Sequence, residues 1–307
     1  MASILSHVAV IRKFKGEPML QRYPYACIDA DTYEISEFGG TSSFLLVGKE
    51  KALLIDTGVG IGDLAFFVHT LTQKPIEVFI THNHRDHVGN APRFGKIHMS
   101  PLDVPFGSII CPWTSQESRL RFATDNCTDR SFGFFWETAD IESFSPDREP
   151  EREDLADGLA VDLGGRTVTW FQCPGHTPGS CVAIDGKTGM LFCGDACNRR
   201  LGIGVRPLVG VRLVSIESAL RSMRRIWDMD FDRKRIFNGH TDYRKVGQPL
   251  DGSVWESLMG GMQNILDNDF VLRKVWIQNL NRIVETAVFS DVEIQFQTSN
   301  IHDQQRD

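Results

Sequence analysis

The sequence lacks several features that would assign it to a common class of protein. Its 307 residues include seven cysteines, and none of them forms a CxxC pair. The odd count and scattered spacing argue against a disulfide framework and for a reduced protein. No stretch approaches the roughly 20 apolar residues of a membrane-spanning helix, and the N-terminus lacks a basic segment followed by an apolar one. We therefore expect a cytoplasmic protein that has no membrane partner.

An excess of basic residues is also missing. The chain has 33 Lys and Arg against 40 Asp and Glu, which gives a formal net charge of −7. Proteins that bind nucleic acid usually carry a basic surface, so we expect no nucleic-acid partner. The hydrophobic share of 41% and the charged share of 24% are ordinary for a globular protein and exclude a disordered chain. The chain is long enough for one large domain with a sizeable core.

Short apolar runs bounded by Gly, Asp or Lys predict strands, and apolar residues repeating every three or four positions predict helices. The predicted strands are Thr32–Ile35, Ser43–Val47, Ala52–Ile55, Ile76–Ile80, Thr167–Gln172, Cys181–Ile184, Met190–Cys193 and Arg235–Phe237. The predicted helices are Ile61–Thr72, Ser215–Asp228 and Ser253–Leu266. Strands and helices alternate, and strands are more numerous. This pattern favours an α/β layered domain with buried sheets.

Three of the nine histidines fall within six residues, directly after the predicted strand Ile76–Ile80. In an extended segment His82 and His84 point the same way, because side chains repeat every two residues. A turn can then bring Asp86 and His87 beside them. Imidazole and carboxylate groups suit zinc and other first-row divalent ions, so the cluster predicts a metal site.

Three later motifs supply further ligands at the ends of predicted strands. His176 lies in the turn Cys173–Ser180, which is rich in Gly and Pro, Asp195 follows Gly194, and His240 follows Gly239. Each is a weak signal alone, since such residues are often hydrogen-bonded turn residues. Their order after the first cluster makes the set strong.

The pattern HxHxDH, then GHTPGS, GD and GH, resembles the metallo-β-lactamase superfamily. The segment Ala52–Gly58 is also similar to the first motif of that superfamily, and the resemblance runs from about Thr32 to His240. Asp195 as a further ligand resembles the glyoxalase-II-like and lactonase-like branches. The resemblance implies a four-layer αββα sandwich. We therefore predict a single domain over residues 1–307 with its core at about 32–242.

The resemblance also implies the ligand set. It places one metal on His82, His84 and His176, and a second on Asp86, His87 and His240, with Asp195 bridging the two. Asp56 would lie behind the ligands and orient their imidazoles, and Thr177 would do likewise or only shape its turn. We expect two Zn²⁺ per chain, with iron or manganese left open because their preferred ligands overlap with those of zinc.

The activity expected from these metals is hydrolysis of a small-molecule ester, thioester or lactone. A hydroxide held between the metals would be the nucleophile, since metal coordination lowers the pKa of water from about 15.7 to about 7. Asp86 and Asp195 are the expected catalytic residues. Two alternatives stay open: hydrolysis of a small phosphodiester, and a metal-bound binding or regulatory protein with little turnover.

Three regions outside the motifs bear on the substrate and on assembly. The aromatic-rich insertion 101–158, helical or loop in form, is interpreted as a lid or wall over an apolar substrate, or as additional core. Its candidate pocket residues are Phe106, Trp113, Phe134 and Trp136. Beyond Asp195, Asn198 is a further candidate pocket residue. The arginines of this stretch are candidates to meet an anionic substrate group, or they are exposed or pair with local acids: Arg199, Arg200, Arg206 and Arg212. The C-terminal extension 243–307 is apolar enough at Val271–Trp276 and Val284–Phe296 to form a helix, strands or the contact of a homodimer.

Overall fold

A computed structural model of the chain describes residues 23–37, 40–106, 120–121, 124, 148–205, 213–241, 244–277 and 282–303. Within these residues the chain forms sixteen β-strands in three sheets and five α-helices. Most of the insertion, including the predicted pocket residues Trp113, Phe134 and Trp136, lies outside the described residues. Phe106 ends a 3-10 helix over Pro101–Phe106, and its side chain is not described.

The first sheet has seven strands in sequential order. They are β1 (Tyr25–Asp29), β2 (Thr32–Ser36), β3 (Ser42–Val47), β4 (Ala52–Ile55), β5 (Ile76–Ile80), β6 (Lys96–Met99) and β7 (Glu151–Asp154). The strands from β1 to β4 pair antiparallel, and those from β4 to β7 pair parallel. The parallel half has its carboxyl ends at one edge, and this is where the histidine cluster begins.

The second sheet has five strands in the order β13-β11-β10-β9-β8, and the third has four in the order β12-β16-β15-β14. The strands of the second sheet are β8 (Ala160–Asp162), β9 (Thr167–Gln172), β10 (Cys181–Asp185), β11 (Leu191–Gly194) and β13 (Ile236–Asn238). Those of the third are β12 (Arg200–Gly202), β14 (Arg273–Ile277), β15 (Arg282–Phe289) and β16 (Val292–Phe296). The third sheet therefore joins the C-terminal extension to the segment directly after Asp195.

The helices are α1 (Leu64–Leu71), α2 (Arg85–Val88), α3 (Ala91–Phe94), α4 (Ile216–Trp227) and α5 (Ser253–Leu266). Two of them begin at side-chain caps: the Asp63 carboxylate accepts the Phe66 N–H, and the Ser215 hydroxyl accepts the Ser218 N–H. None of the helices in the described part of the chain has both the length and the apolar character that crossing a bilayer requires. The expected cytoplasmic location stays a prediction.

Three apolar clusters separate the layers. On the first sheet, Leu54 packs toward α1, and its neighbour Leu53 packs toward the second sheet, because successive strand residues face opposite sides. On the second sheet, Ala183 faces the first sheet and Val182 faces α4 and α5. The order is helix, sheet, sheet, helix, so the expected αββα sandwich is confirmed.

The predicted strands and helices of the core are present, with ends that are the same or differ by at most three residues. Helix α1 starts at Leu64, after Asp63, whereas the apolar repeat had suggested Ile61. The strand β7 lies in an acidic part of the chain, and its side chains are all exposed. In the C-terminal extension, the apolar segments Val271–Trp276 and Val284–Phe296 fall mostly within the strands β14, β15 and β16, and the homodimer contact stays a prediction.

A buried arginine joins the two central sheets at the edge away from the histidine cluster. Arg166 donates through Nε and Nη2 to the Asp185 carboxylate at 3.1 and 2.7 Å. It also donates to the Asp31 carbonyl and the Thr32 hydroxyl at the start of β2. Both charged side chains are almost fully buried, so the attraction between them must compensate for the hydration that each has lost.

Replacing Arg166 by Ala should therefore lower the free energy of unfolding by about 3–5 kcal/mol, because the Asp185 charge would stay buried without its partner. Equilibrium urea unfolding measures this change. Arg225→Ala is the matched control, since Arg225 pairs with Asp157 at the surface and should contribute less than about 1 kcal/mol. Equal effects of the two substitutions would contradict this account of the sheet contact.

Candidate metal centre

The cluster lies where strand ends of the two central sheets meet. Asp56 directly follows β4, and the segment His82–His87 follows β5. From the second sheet, His176 lies four residues after β9, Asp195 directly follows β11, and His240 lies two residues after β13. The fold thus brings to one edge all seven residues predicted as metal ligands.

Three histidines form a first trio. Nδ1 of His84 lies 3.1 Å from Nε2 of His82 and 2.9 Å from Nε2 of His176. Two imidazole nitrogens on one tetrahedral zinc are roughly 3.3 Å apart, given Zn–N bonds of about 2.05 Å. The spacing of the trio is therefore close to that of a metal site.

A second trio consists of Asp86, His87 and His240, whose donor atoms lie within 4.8 Å of one another. Asp195 lies between the trios. Its Oδ1 is 3.5 Å from Nε2 of His87, and its Oδ2 is 3.1 Å from Nε2 of His240 and 3.6 Å from Nε2 of His176. One carboxylate thus reaches both groups, which is the geometry expected of a bridging ligand.

The ring nitrogens that point away from the cluster are held by the protein. Nδ1 of His87 contacts the Asp56 carboxylate at 2.9 Å, and Nδ1 of His82 contacts the Thr81 hydroxyl at 3.1 Å. Nδ1 of His176 and of His240 faces the carbonyl oxygens of Gly202 and Gly40, at 3.0 and 2.7 Å. A ring N–H donated to a carbonyl or carboxylate leaves the other nitrogen as an acceptor. These contacts therefore turn the lone pairs of Nε2 toward the centre.

Asp56 is held in an uncommon backbone conformation, with φ at 59°. A non-glycine residue adopts this left-handed region only where its surroundings compensate the strain. The compensation is visible, since the buried carboxylate accepts the Thr81 N–H at 2.7 Å and the Thr81 hydroxyl at 2.8 Å as well as contacting His87. Asp56 therefore links the end of β4 to the histidine segment, and its expected role in orienting a metal ligand stays a prediction.

Two glycines in the motifs are required by close approach. A Cβ at Gly239 would lie 2.7 Å from Cε1 of His87 and 2.8 Å from Oδ1 of Asp195. A Cβ at Gly194, where φ is 48°, would lie 2.5 Å from the Thr81 hydroxyl oxygen. Side chains at these two positions would push the two sheets apart at the cluster. This is why glycine precedes Asp195 and His240.

The charges of the cluster set its protonation. Burial and the imidazoles of His87 and His84 hold the pKa of His82 well below its usual range, so this ring is neutral. Burial alone would raise the pKa of Asp195, but the imidazoles of His240 and His87 outweigh it and hold that pKa well below the usual range. Burial alone would lower the pKa of His87, but the carboxylates of Asp195 and Asp56 raise it to about 9. The carboxylates thus favour a positive charge at this place.

Two atoms show that a cation fits. Nε2 of His87 and Oδ1 of Asp195 are buried, and neither has a hydrogen-bond partner among the described residues. A buried polar atom without a partner is destabilising by about 1–3 kcal/mol. A divalent ion bound by both atoms would remove that penalty and would match the donor set of imidazole and carboxylate. The residues present therefore fit a metal centre.

Asp103 is a buried carboxylate that the sequence did not single out. It accepts the Asn83 N–H at 2.9 Å, the Gly179 N–H at 2.7 Å and the Thr177 hydroxyl at 2.8 Å. Burial raises the pKa of Asp103, and these donors oppose the rise. Asp103 thus connects the loop of His82 and His84 to the turn of His176.

Glu37 is a second buried carboxylate that holds backbone, in this case near the second trio. Its fully buried carboxylate accepts the backbone N–H groups of Val59, Gly60 and Ile61, in the loop that follows Asp56. Burial raises the pKa of Glu37 to about 8, against the effect of these donors. The carbonyl of Glu37 accepts the Gly40 N–H, and the Gly40 carbonyl faces His240. Glu37 therefore holds backbone on which the second trio rests.

The other predicted site residues lie apart from the trios. The Thr177 hydroxyl donates to Asp103, a long-range contact that ties the turn of His176 to the 3-10 helix Pro101–Phe106. Asn198 is buried and accepts from Asn238 at 2.6 Å. Arg199 forms an ion pair with Asp291, and Arg200 pairs with Glu293. The arginines thus pair with acids next to and within β16, and their contact with a substrate stays a prediction.

Asp103 and Glu37 carry a weak signal in the sequence. Each is an acid that follows a strand within four residues, at the edge where the ligands lie. Nothing in the sequence pairs either acid with its backbone donors, some of which lie 76 positions away. Their roles therefore come from the tertiary structure.

Comparison with known proteins agrees with this geometry. The family model of the metallo-beta-lactamase superfamily matches residues 36–105 and 113–240. The hydroxyacylglutathione hydrolase GloC of Haemophilus influenzae is 27% identical over 216 residues, which are 70% of this chain and 91% of that protein. The human acyl-coenzyme A thioesterase MBLAC2 is 25% identical over 179 residues, or 52% of this chain and 59% of the human protein.

Among solved structures, a metallo-beta-lactamase family protein from Thermus thermophilus superposes with a TM-score of 0.53 and 20% identity, covering 79% of this chain and 82% of that one. At this identity the likeness concerns the fold alone. The family match spans the strands β3 to β7 of the first sheet, the whole second sheet and every residue of the two trios. The chain therefore belongs to the metallo-beta-lactamase superfamily.

Proposed function

We propose that the protein is a metal-dependent hydrolase of a small-molecule ester, thioester or lactone, and that it holds two divalent ions, zinc first among them. The observation that carries this proposal is the position of Asp195 between the two trios of donors. A carboxylate so placed can serve two ions at once.

In this proposal each part of the cluster has one task. His82, His84 and His176 would hold one ion, and Asp86, His87 and His240 the other. When bound, the metals supply Lewis-acid polarisation of a carbonyl and a water that ionises near neutral pH. Asp56 and the carbonyls of Gly202 and Gly40 keep the imidazoles oriented.

The proton balance of hydrolysis involves Asp86. Water adds to the carbonyl carbon, the bond from carbon to the leaving oxygen or sulfur breaks, and one proton of the water must reach the leaving atom. The Asp86 side chain is 19% exposed and its Oδ2 lies 3.8 Å from Nε2 of His240, so it stands at the solvent side of the cluster. We propose that this carboxylate takes up the proton and passes it on.

The comparisons support acyl chemistry within the superfamily. By its name, the human relative hydrolyses acyl-coenzyme A, and the Haemophilus influenzae relative hydrolyses hydroxyacylglutathione. Both names describe the removal of an acyl group from a carrier. The shared identity is low, and the match spans 59% of the human protein, so the carrier is not carried over to this chain.

A panel of substrates tests the proposal. The zinc-loaded protein is assayed with p-nitrophenyl esters, acyl thioesters, lactones and bis-p-nitrophenyl phosphate. Turnover of the acyl compounds is expected. Turnover confined to the phosphate would show a phosphodiesterase, and metal binding without any turnover would show a binding protein.

Removing a ligand should remove metal and activity together. For His84→Ala and Asp195→Ala we expect a lower zinc content by mass spectrometry of metals and a fall of at least about a hundredfold in kcat/KM, which is about 2.7 kcal/mol of transition-state stabilisation. His69→Ala is the matched control, because His69 is exposed in the last turn of α1 and should change neither quantity. A fully active Asp195→Ala protein would refute the assignment.

Asp103→Asn tests the link between the two ligand loops. The amide would place an N–H₂ group against the backbone donors of Asn83 or Gly179, so the first trio should loosen. We expect zinc affinity, measured by competition with a chelator, to fall about 10–100-fold, as for other residues that orient metal ligands.

Asp162→Asn is the control for Asp103→Asn. Asp162 also accepts two backbone N–H groups, those of Gly164 and Gly165 at 2.9 Å, but it lies in an exposed turn remote from the cluster. Its substitution should leave zinc affinity unchanged. A similar loss in both variants would indicate a general effect on stability, and no loss in Asp103→Asn would remove the role given to Asp103.

A further inference from the structure

A small cavity lies beside the first trio of histidines. Its lining includes His84 and His176 on the metal side and Pro178, Val205, Leu213 and Val214 on the other sides. It leaves about 20 Å³ for the centre of a water-sized group. A single water needs roughly 10–15 Å³ by this measure, so the cavity is of about the size of one methyl or methylene group.

The polarity of the residues that line the cavity determines which kind of chemical group can bind in it. Among the described residues, the cavity is lined by the two histidines, by apolar side chains and by glycine, and none of these lining residues is an acid, a lysine or an arginine. A charged or hydroxyl group placed there would lose its hydration without gaining a partner. The cavity therefore favours a small, uncharged, apolar group.

The dimensions of the cavity are fixed by close packing. A Cβ on Gly204 would lie 2.8 Å from the Val214 carbonyl oxygen and 3.3 Å from Cβ of Leu213, so the two walls meet tightly there. The Gly202 carbonyl, three residues before Val205, faces Nδ1 of His176 at 3.0 Å. The segment from Gly202 to Val205 thus both orients His176 and lines the cavity. The position of the cavity relative to the cluster is therefore fixed.

The position of the cavity gives the substrate a direction. The two histidines that line the cavity, His84 and His176, belong to the first trio, and the lining includes no residue of the second trio. A carbonyl group held at the cluster would therefore have one side facing the cavity and the other facing the second trio.

We propose that this cavity binds the acyl side of the substrate and limits the enzyme to short, uncharged acyl groups, with the leaving group on the side of Asp86 and His240. The inference rests on the proposed acyl hydrolysis. Val205 and Leu213 are then the residues that determine chain-length specificity, because their side chains set the depth available.

A chain-length series with one leaving group tests this inference. The zinc-loaded protein is assayed with p-nitrophenyl acetate, propionate, butyrate and octanoate. We expect kcat/KM to be highest for acetate or propionate and at least about tenfold lower for octanoate. Leu213→Ala and Val205→Ala should move the optimum to longer chains, by about fourfold for each methylene newly accommodated. Val271→Ala, at a position that is 74% exposed, is the matched control and should keep the wild-type profile.

A binding measurement separates the failure of this inference from the failure of the proposed function. Calorimetry gives the affinity of the zinc-loaded protein for the product carboxylates from acetate to octanoate, with circular dichroism to confirm that each variant is folded. If the esters are hydrolysed but Leu213→Ala keeps the wild-type chain-length profile, the subsite is wrong and the hydrolase stands. If no ester, thioester or lactone is hydrolysed, the hydrolase is wrong. In that case, equal carboxylate affinities in wild type and Leu213→Ala would also overturn the subsite.

Discussion

The structure of the candidate metal centre depends on holding several hydrogen-bond acceptor atoms close together in a buried cluster. Five imidazoles and two carboxylates converge on one edge, and their inward atoms are acceptors that repel one another unless a positive charge lies between them. The pKa of His87, raised to about 9 by Asp195 and Asp56, shows how strongly the carboxylates favour a positive charge. Asp56, Asp103 and Glu37 hold the loops against this repulsion through hydrogen bonds from the backbone.

The same constraint explains why the two sheets must meet so closely. Gly194 and Gly239 have no Cβ because His87, Asp195 and Thr81 occupy the space that a Cβ would take. At the opposite edge, the buried pair of Arg166 and Asp185 ties the first sheet to the second. Between these edges, Phe44, Phe79, Phe192 and Trp170 fill the interior. The position of the ligands is thus a consequence of how the sheets pack.

Much of the core follows from sequence alone. Apolar runs of four to six residues gave the strands because a strand in a central sheet is buried on both faces, as in β4, whose four residues are all buried. The ligands were recognisable because each directly follows or closely follows such a run. The third sheet was not predictable, since β12 is three residues long and pairs with β16, some 90 positions later, through backbone bonds that leave no pattern in the side chains. The same holds for Asp103, whose donors come from Asn83, Thr177 and Gly179.

We propose that this edge of the sheets holds two ions with Asp195 between them. A crystal of the zinc-loaded protein, measured on both sides of the zinc absorption edge, tests it most directly. The account predicts two anomalous peaks, one bound by His82, His84 and His176 and one by Asp86, His87 and His240, each within about 2.0–2.2 Å of its nitrogen and oxygen ligands. A single peak, or peaks at other side chains, would contradict it.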